Sequence, residues 1–161
     1  MPTERRRPGS AAVPSIGATW GTSYQTCFTA EPDAIRRALK AALARFAGHL
    51  AARDAGVLEL SLAEVLNNSA EHGYDSRPPG PVRICLRLAG NSITCRVEDI
   101  GHPMPNEDLP TGTIPTVAEN VANLAEGGWG WALIRTLSED VVYSRHGARN
   151  QLMFRVPLTG K

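Results

Sequence analysis

The sequence predicts an α+β domain with helices packed on one face of a sheet. Three observations carry that expectation. Two helical stretches with apolar stripes come early in the chain, a tight-turn dipeptide joins two alternating runs in its middle, and the later elements lack the regular alternation of a doubly wound sheet.

Residues 1–17 hold Arg5-Arg6-Arg7, three prolines and little periodicity, and read as a mobile tail ahead of a domain over 18–161. The β-formers between Trp20 and Phe28 predict a first strand. Pro32, with Asp33 in the first turn, introduces a helix that carries Ile35, Leu39, Leu43, Phe46 and Leu50 on one stripe. A second helix is expected from about Val57 to His72, closed by Gly73. Pro78-Pro79-Gly80 punctuates the loop that follows.

The runs Val82 to Leu88 and Ile93 to Glu98 flank Gly90-Asn91 and read as a hairpin. Pairing Ala89 with Ser92 puts Cys95 on the apolar face of Ile84, Leu86 and Leu88. Cys85 then points the other way with Arg83 and Arg87, which argues against a disulfide between the two. The stretch with Pro103, Pro105, Pro110 and Pro115 is too long for a simple connection and reads as a lid. Thr116 and Glu119 make a capping-box pattern before a short helix marked by Val117, Val121 and Leu124, which Gly127-Gly128 breaks. A helix from Trp129 to Ser138 and strands at Val141 to Arg145 and Gln151 to Val156 complete the chain.

With 161 residues, 42% hydrophobic and 20% charged, one soluble domain can bury its own core without disulfide or metal. A formal net charge of +1 lacks the basic footprint of a nucleic-acid binder. No apolar run reaches the roughly 18 residues of a membrane span, and no secretory leader is evident, so no membrane partner and a cytoplasmic location are expected. The three cysteines and four histidines show no metal-ligand spacing, so zinc is not expected.

Three constellations could carry chemistry. Glu64, Asn68 and His72 fall at i, i+4 and i+8 on the second helix, a stripe that serves equally as a solvent face or as a functional one. Asparagine is mildly unfavourable inside a helix, its carbonyl is a hard ligand for Mg²⁺, and a carboxylate one turn away can take a proton from a hydroxyl. Glu98-Asp99-Ile100-Gly101 at a strand end is either a turn or a place where Asp99 accepts the adenine amine while Gly101 admits the base. Such a charged hydrogen bond is worth about 1.5 to 3 kcal/mol and disfavours guanine. Gly127-Gly128-Trp129-Gly130 is either a flexible joint or a set of helix-start amides for anionic oxygens. The chain contains neither GxxxxGK[ST] nor GxGxxG.

In order and spacing, Glu64-x3-Asn68-x3-His72-Gly73-Tyr74, then Asp99-x-Gly101, then Gly127-Gly128-x-Gly130 resembles the Bergerat-type ATP-binding fold of gyrase, histidine kinases and mismatch-repair ATPases. Within that histidine-kinase-like ATPase superfamily, the chain from about Trp20 to Leu158 looks most like the anti-sigma factor serine/threonine kinases. The resemblance implies a two-layer sandwich with a mixed, mostly antiparallel sheet, and ATP between the helices and a lid over 103–126. It implies that Glu64 is the general base and that Asn68 holds Mg²⁺. Asp99 and Gly101 would bind adenine, Gly128 and Gly130 would meet the phosphates, and His72 and Gly127 would belong to the same nucleotide site. The implied activity is phosphorylation of an antagonist protein on serine or threonine by a homodimer that also sequesters a sigma factor.

Two positions depart from the family pattern. Pro103 stands where a second glycine usually follows Asp-x-Gly, and proline cannot take positive φ, so the lid hinge must differ or stiffen. Trp131 replaces a smaller aliphatic residue. These departures motivate an alternative, an ATP-gated protein-binding module without kinase activity.

Overall fold

A computed structural model describes residues 21–110 and 129–160. The tail over 1–17, the capped helix after Thr116, and Gly127 and Gly128 lie outside the described residues. The chain runs β1 (Ser23–Thr29), α1 (Pro32–Phe46), α2 (Ala52–Asn68), a π-helical turn (Ser69–Gly73), β2 (Pro81–Ala89) and β3 (Ser92–Asp99). A short 3-10 turn (Pro105–Glu107), α3 (Trp129–Leu137), β4 (Glu139–His146) and β5 (Arg149–Pro157) follow.

The five strands form one sheet in the order β1-β2-β3-β5-β4. Every pairing is antiparallel, so the described sheet contains none of the parallel ladders that a mixed sheet would include. For two of the four pairings the reason is local, because β2 to β3 and β4 to β5 are consecutive strands joined by two-residue turns at Gly90 (φ 56) and Gly147 (φ 61).

Register then divides the sheet into two faces. Leu86, Cys95 and Phe154 share one cross-strand row, Ile84, Val97 and Leu152 another, and all six are buried. The alternate row of Cys85, Arg96 and Met153 is part or fully exposed. Ala89 pairs with Ser92, so Cys95 faces the core and Cys85 the open side as the hairpin pattern predicts, and both are free thiols. Burial pushes the Cys95 thiol pKa well above its ordinary value. Over the buried face pack Ile35, Leu39 and Phe46 of α1, Leu58, Leu62 and Leu66 of α2, and Trp131 and Ile134 of α3. This is the two-layer arrangement that the helical stripes and the strand alternation call for.

The second helix begins at Ala52, five residues before the position the apolar pattern marks. A contact from the far end of the chain explains the extra turn. Asp54 is 2% exposed and accepts from the Thr159 backbone N–H at 3.1 Å and from the Thr159 hydroxyl at 2.8 Å, 105 residues away. Asp54→Ala should therefore destabilise the fold by about 1.5 to 3 kcal/mol, because it removes the buried charged acceptor of the hydrogen bonds that tie Thr159 to α2. Denaturant unfolding measures this, and a loss within experimental error would mean that water replaces the carboxylate there.

Candidate nucleotide-binding site

α2, the π turn, the end of β3, α3 and β5 enclose a cavity of about 350 Å³. Its apolar wall is Val65, Val97, Trp131 and Leu152, and Asn68, Ser69, Asp99 and Asn150 bring polar groups to it. A largely apolar cleft with a few convergent polar groups suits a flat heterocycle that carries hydrogen-bonding edges.

The continuous α-helical stripe expected from Glu64 to His72 is interrupted. Regular α-helix ends at Asn68, and Ser69–Gly73 winds as a π turn, a local widening common at functional sites. Glu64 and Asn68 keep their one-turn spacing. Ser69 gains a place in the cavity wall, while His72 lines the cavity from an exposed position.

Asp99 sits at the end of β3, where the strand ladder stops. Its Oδ1 accepts from the Gly101 N–H at 2.9 Å and from Asn150 Nδ2 at 2.7 Å, and its Oδ2 accepts from the Ser69 hydroxyl at 3.0 Å. Three donors, from the π turn, from the loop after β3 and from β5, thus orient one carboxylate at the cavity wall. Beside it, Tyr74 donates to the Pro81 carbonyl at 2.7 Å and accepts from the Ile100 N–H at 3.2 Å, which ties the start of β2 to the residue after β3. Burial raises the Tyr74 pKa above its ordinary value.

Gly101 does not line the cavity. A Cβ on it would run into the Gly73 backbone, and the next residue's N–H donates to the Gly73 carbonyl at 2.6 Å. Its freedom from a side chain lets β3 close against the π turn, and its amide orients Asp99.

Glu64 and Gly130 also stand just outside the cavity wall, next to each other. A Cβ on Gly130 would lie 2.6 Å from Glu64 Oε2 and 3.8 Å from the Asn68 amide nitrogen. Glycine at that point of α3 therefore keeps room for the Glu64 carboxylate. Asn68 Nδ2 is buried without a hydrogen-bond partner among the described residues. An unsatisfied buried amide at the edge of a ligand cavity is a costly feature that a bound group would relieve.

Pro103 lines the cavity, and positive φ occurs just downstream of it, at Asn106 (φ 57) and Glu107 (φ 53). The backbone thus makes its left-handed turn at two non-glycine residues past the proline. Trp131 is 7% exposed and serves at once as core and cavity wall.

Asn150 is the residue the sequence reading missed. It is buried, and besides Asp99 it donates to the His102 carbonyl at 2.9 Å while accepting from Tyr143 at 2.7 Å and Arg145 at 2.5 Å. Its polar position within an alternating apolar strand is the signal that could have found it, since an asparagine on a core face needs partners.

An antiparallel sheet backed by helices, with an Asn-bearing helix and a strand-end aspartate around one cleft, defines a two-layer nucleotide-binding domain. The chain belongs to the histidine kinase-like ATPase domain family, whose model matches residues 28–156. Membership of that family implies ATP binding. A serine-protein kinase RsbW from Oceanobacillus iheyensis is 29% identical over 85 residues, 52% of this chain and 54% of that protein. The chain thus covers about half the length of this relative. No helix among the described residues is long and apolar enough to cross a membrane.

Proposed function

We propose that the chain is a Mg²⁺-ATP-dependent protein serine/threonine kinase that works as an anti-sigma-type switch. In this reading it binds a sigma factor or similar regulator, phosphorylates an antagonist protein on serine or threonine, and acts as a cytoplasmic homodimer. The observation that carries the proposal is the Glu64, Asn68 and Gly130 cluster beside a cavity whose wall also holds Asp99. The similarity to a named serine-protein kinase supports the same reading.

Each residue has a distinct task. Asp99 accepts the exocyclic amine of adenine, and Ser69, Gly101 and Asn150 hold it in place for that purpose. Val65, Val97 and Leu152 present an apolar surface to the base and keep water from the hydrogen bond. Gly130, together with Gly127 and Gly128 of the same glycine-rich stretch, supplies the phosphate end, and His72 flanks the cleft. Glu64 accepts the proton of the attacking serine or threonine hydroxyl.

The side-chain oxygen of Asn68 is of the kind that hard cations such as Mg²⁺ take, while its Nδ2, the buried donor without a partner among the described residues, suits a phosphate oxygen. When bound, the ion supplies neutralisation of phosphate charge. Asn68→Ala should weaken binding of ATP with Mg²⁺ by about tenfold and change metal-free ATP binding little. Paired calorimetric titrations with Mg²⁺ and with chelator read the difference, and an equal loss in both would exclude the ligand role.

The proposal is tested by incubating the chain with γ-labelled ATP and acceptor proteins from the same regulatory system. Label on an acceptor serine or threonine supports it. Pro103 in the cavity wall favours a second reading, a binding module gated by ATP. Nucleotide-dependent capture of a partner that carries no label would establish that module and remove the kinase.

A further inference from the structure

From the cavity wall to the end of β3, a series of hydrogen bonds runs in one direction. The Met104 N–H donates to the Tyr143 hydroxyl oxygen at 3.2 Å, Tyr143 donates to Asn150 Oδ1 at 2.7 Å, and Asn150 Nδ2 donates to Asp99 Oδ1 at 2.7 Å. Arg145 adds a second donor to Asn150 Oδ1 at 2.5 Å and reaches the Gly101 carbonyl at 3.3 Å.

The direction is fixed by chemistry. A guanidinium and a backbone amide can only donate, so the Asn150 oxygen must face β4 and its nitrogen must face Asp99. Turned over, the amide would set its oxygen against a carboxylate and against the His102 and Gly101 carbonyls, and its NH₂ against the guanidinium.

We infer that Arg145 and Tyr143 are positioning residues for base recognition. By saturating the Asn150 oxygen they hold its amide as a donor to Asp99 Oδ1. Oδ2, which takes only the Ser69 hydroxyl among the described residues, is left as the acceptor for a ligand. The pair thereby sets the preference for an amino purine over an oxo purine, although Arg145 itself does not line the cavity. This inference rests on Asp99 as the base-reading carboxylate.

The test compares ATP and GTP dissociation constants of the whole chain, wild type and variants, by calorimetry. Arg145→Met and Tyr143→Phe should each lower the ATP-over-GTP preference by about tenfold, the effect of one misplaced charge-assisted hydrogen bond. Arg145→Lys keeps a donor and should retain the preference. Arg145 sits half-buried on an edge strand, and the Phe variant keeps the ring, so both variants should fold. A purely structural role would lower the unfolding temperature and both affinities together. A preference equal to that of an ATP-binding wild type in both variants overturns the positioning role alone. A wild type that binds neither nucleotide overturns the reading of Asp99 and this role with it.

Discussion

Glu64→Gln should abolish phosphoryl transfer while leaving ATP binding intact. Glutamine reproduces the shape of the side chain beside Gly130, where the Glu64 carboxylate occupies space that a single Cβ would fill. It cannot take a proton from a hydroxyl. Removal of a positioned general base costs on the order of 10²- to 10⁴-fold in rate, whereas ATP affinity should stay within about twofold, since the cavity wall does not include Glu64. Single-turnover transfer of label to an acceptor, run beside calorimetry on the same preparations, separates the two quantities. Equal transfer by variant and wild type would take Glu64 out of the mechanism.

Asp99→Asn should weaken ATP binding by about 10- to 100-fold and erase or reverse the discrimination against GTP. The three donors around this side chain give the size of the effect. An amide oxygen can still accept from Gly101 and Asn150, but the other atom becomes an NH₂ that faces the Ser69 hydroxyl and the base. Towards the adenine amine it is a donor against a donor. Towards the guanine oxygen it is a match. A charge-assisted hydrogen bond of about 1.5 to 3 kcal/mol is thus exchanged for a repulsive contact with one purine and a new bond with the other. Competition of ATP and GTP for the same site, followed by thermal shift, reads the ratio directly. Unchanged discrimination would mean that the base is recognised elsewhere.

Several features of the site were legible in the chain because they are local. Glu64 and Asn68 keep their one-turn spacing in α2, Asp99 does end a strand, and Gly130 does lie in a helix, α3. Each follows from helical or strand period and from a glycine, which act over a few residues. The π turn at Ser69–Gly73 was not legible. Its widening is set by contacts that the Gly73 backbone makes with Gly101 and His102, about thirty positions away in sequence. The same holds for the first turn of α2, where the Asp54 carboxylate is engaged by Thr159.

Taken alone, the sequence determined the hairpin register, the apolar faces, the class of fold and the order of the three motifs. Periodicity of 2 or 3.6 and the turn chemistry of Gly90-Asn91 impose these on any chain that buries one face. Only the tertiary structure decided how the motifs meet. It brought β5 beside β3, so that Asn150 could orient Asp99, and it set Gly130 of α3 against Glu64 of α2. Side-chain amides and carboxylates carry no period of their own. Their partners are chosen by which distant segments the core draws together.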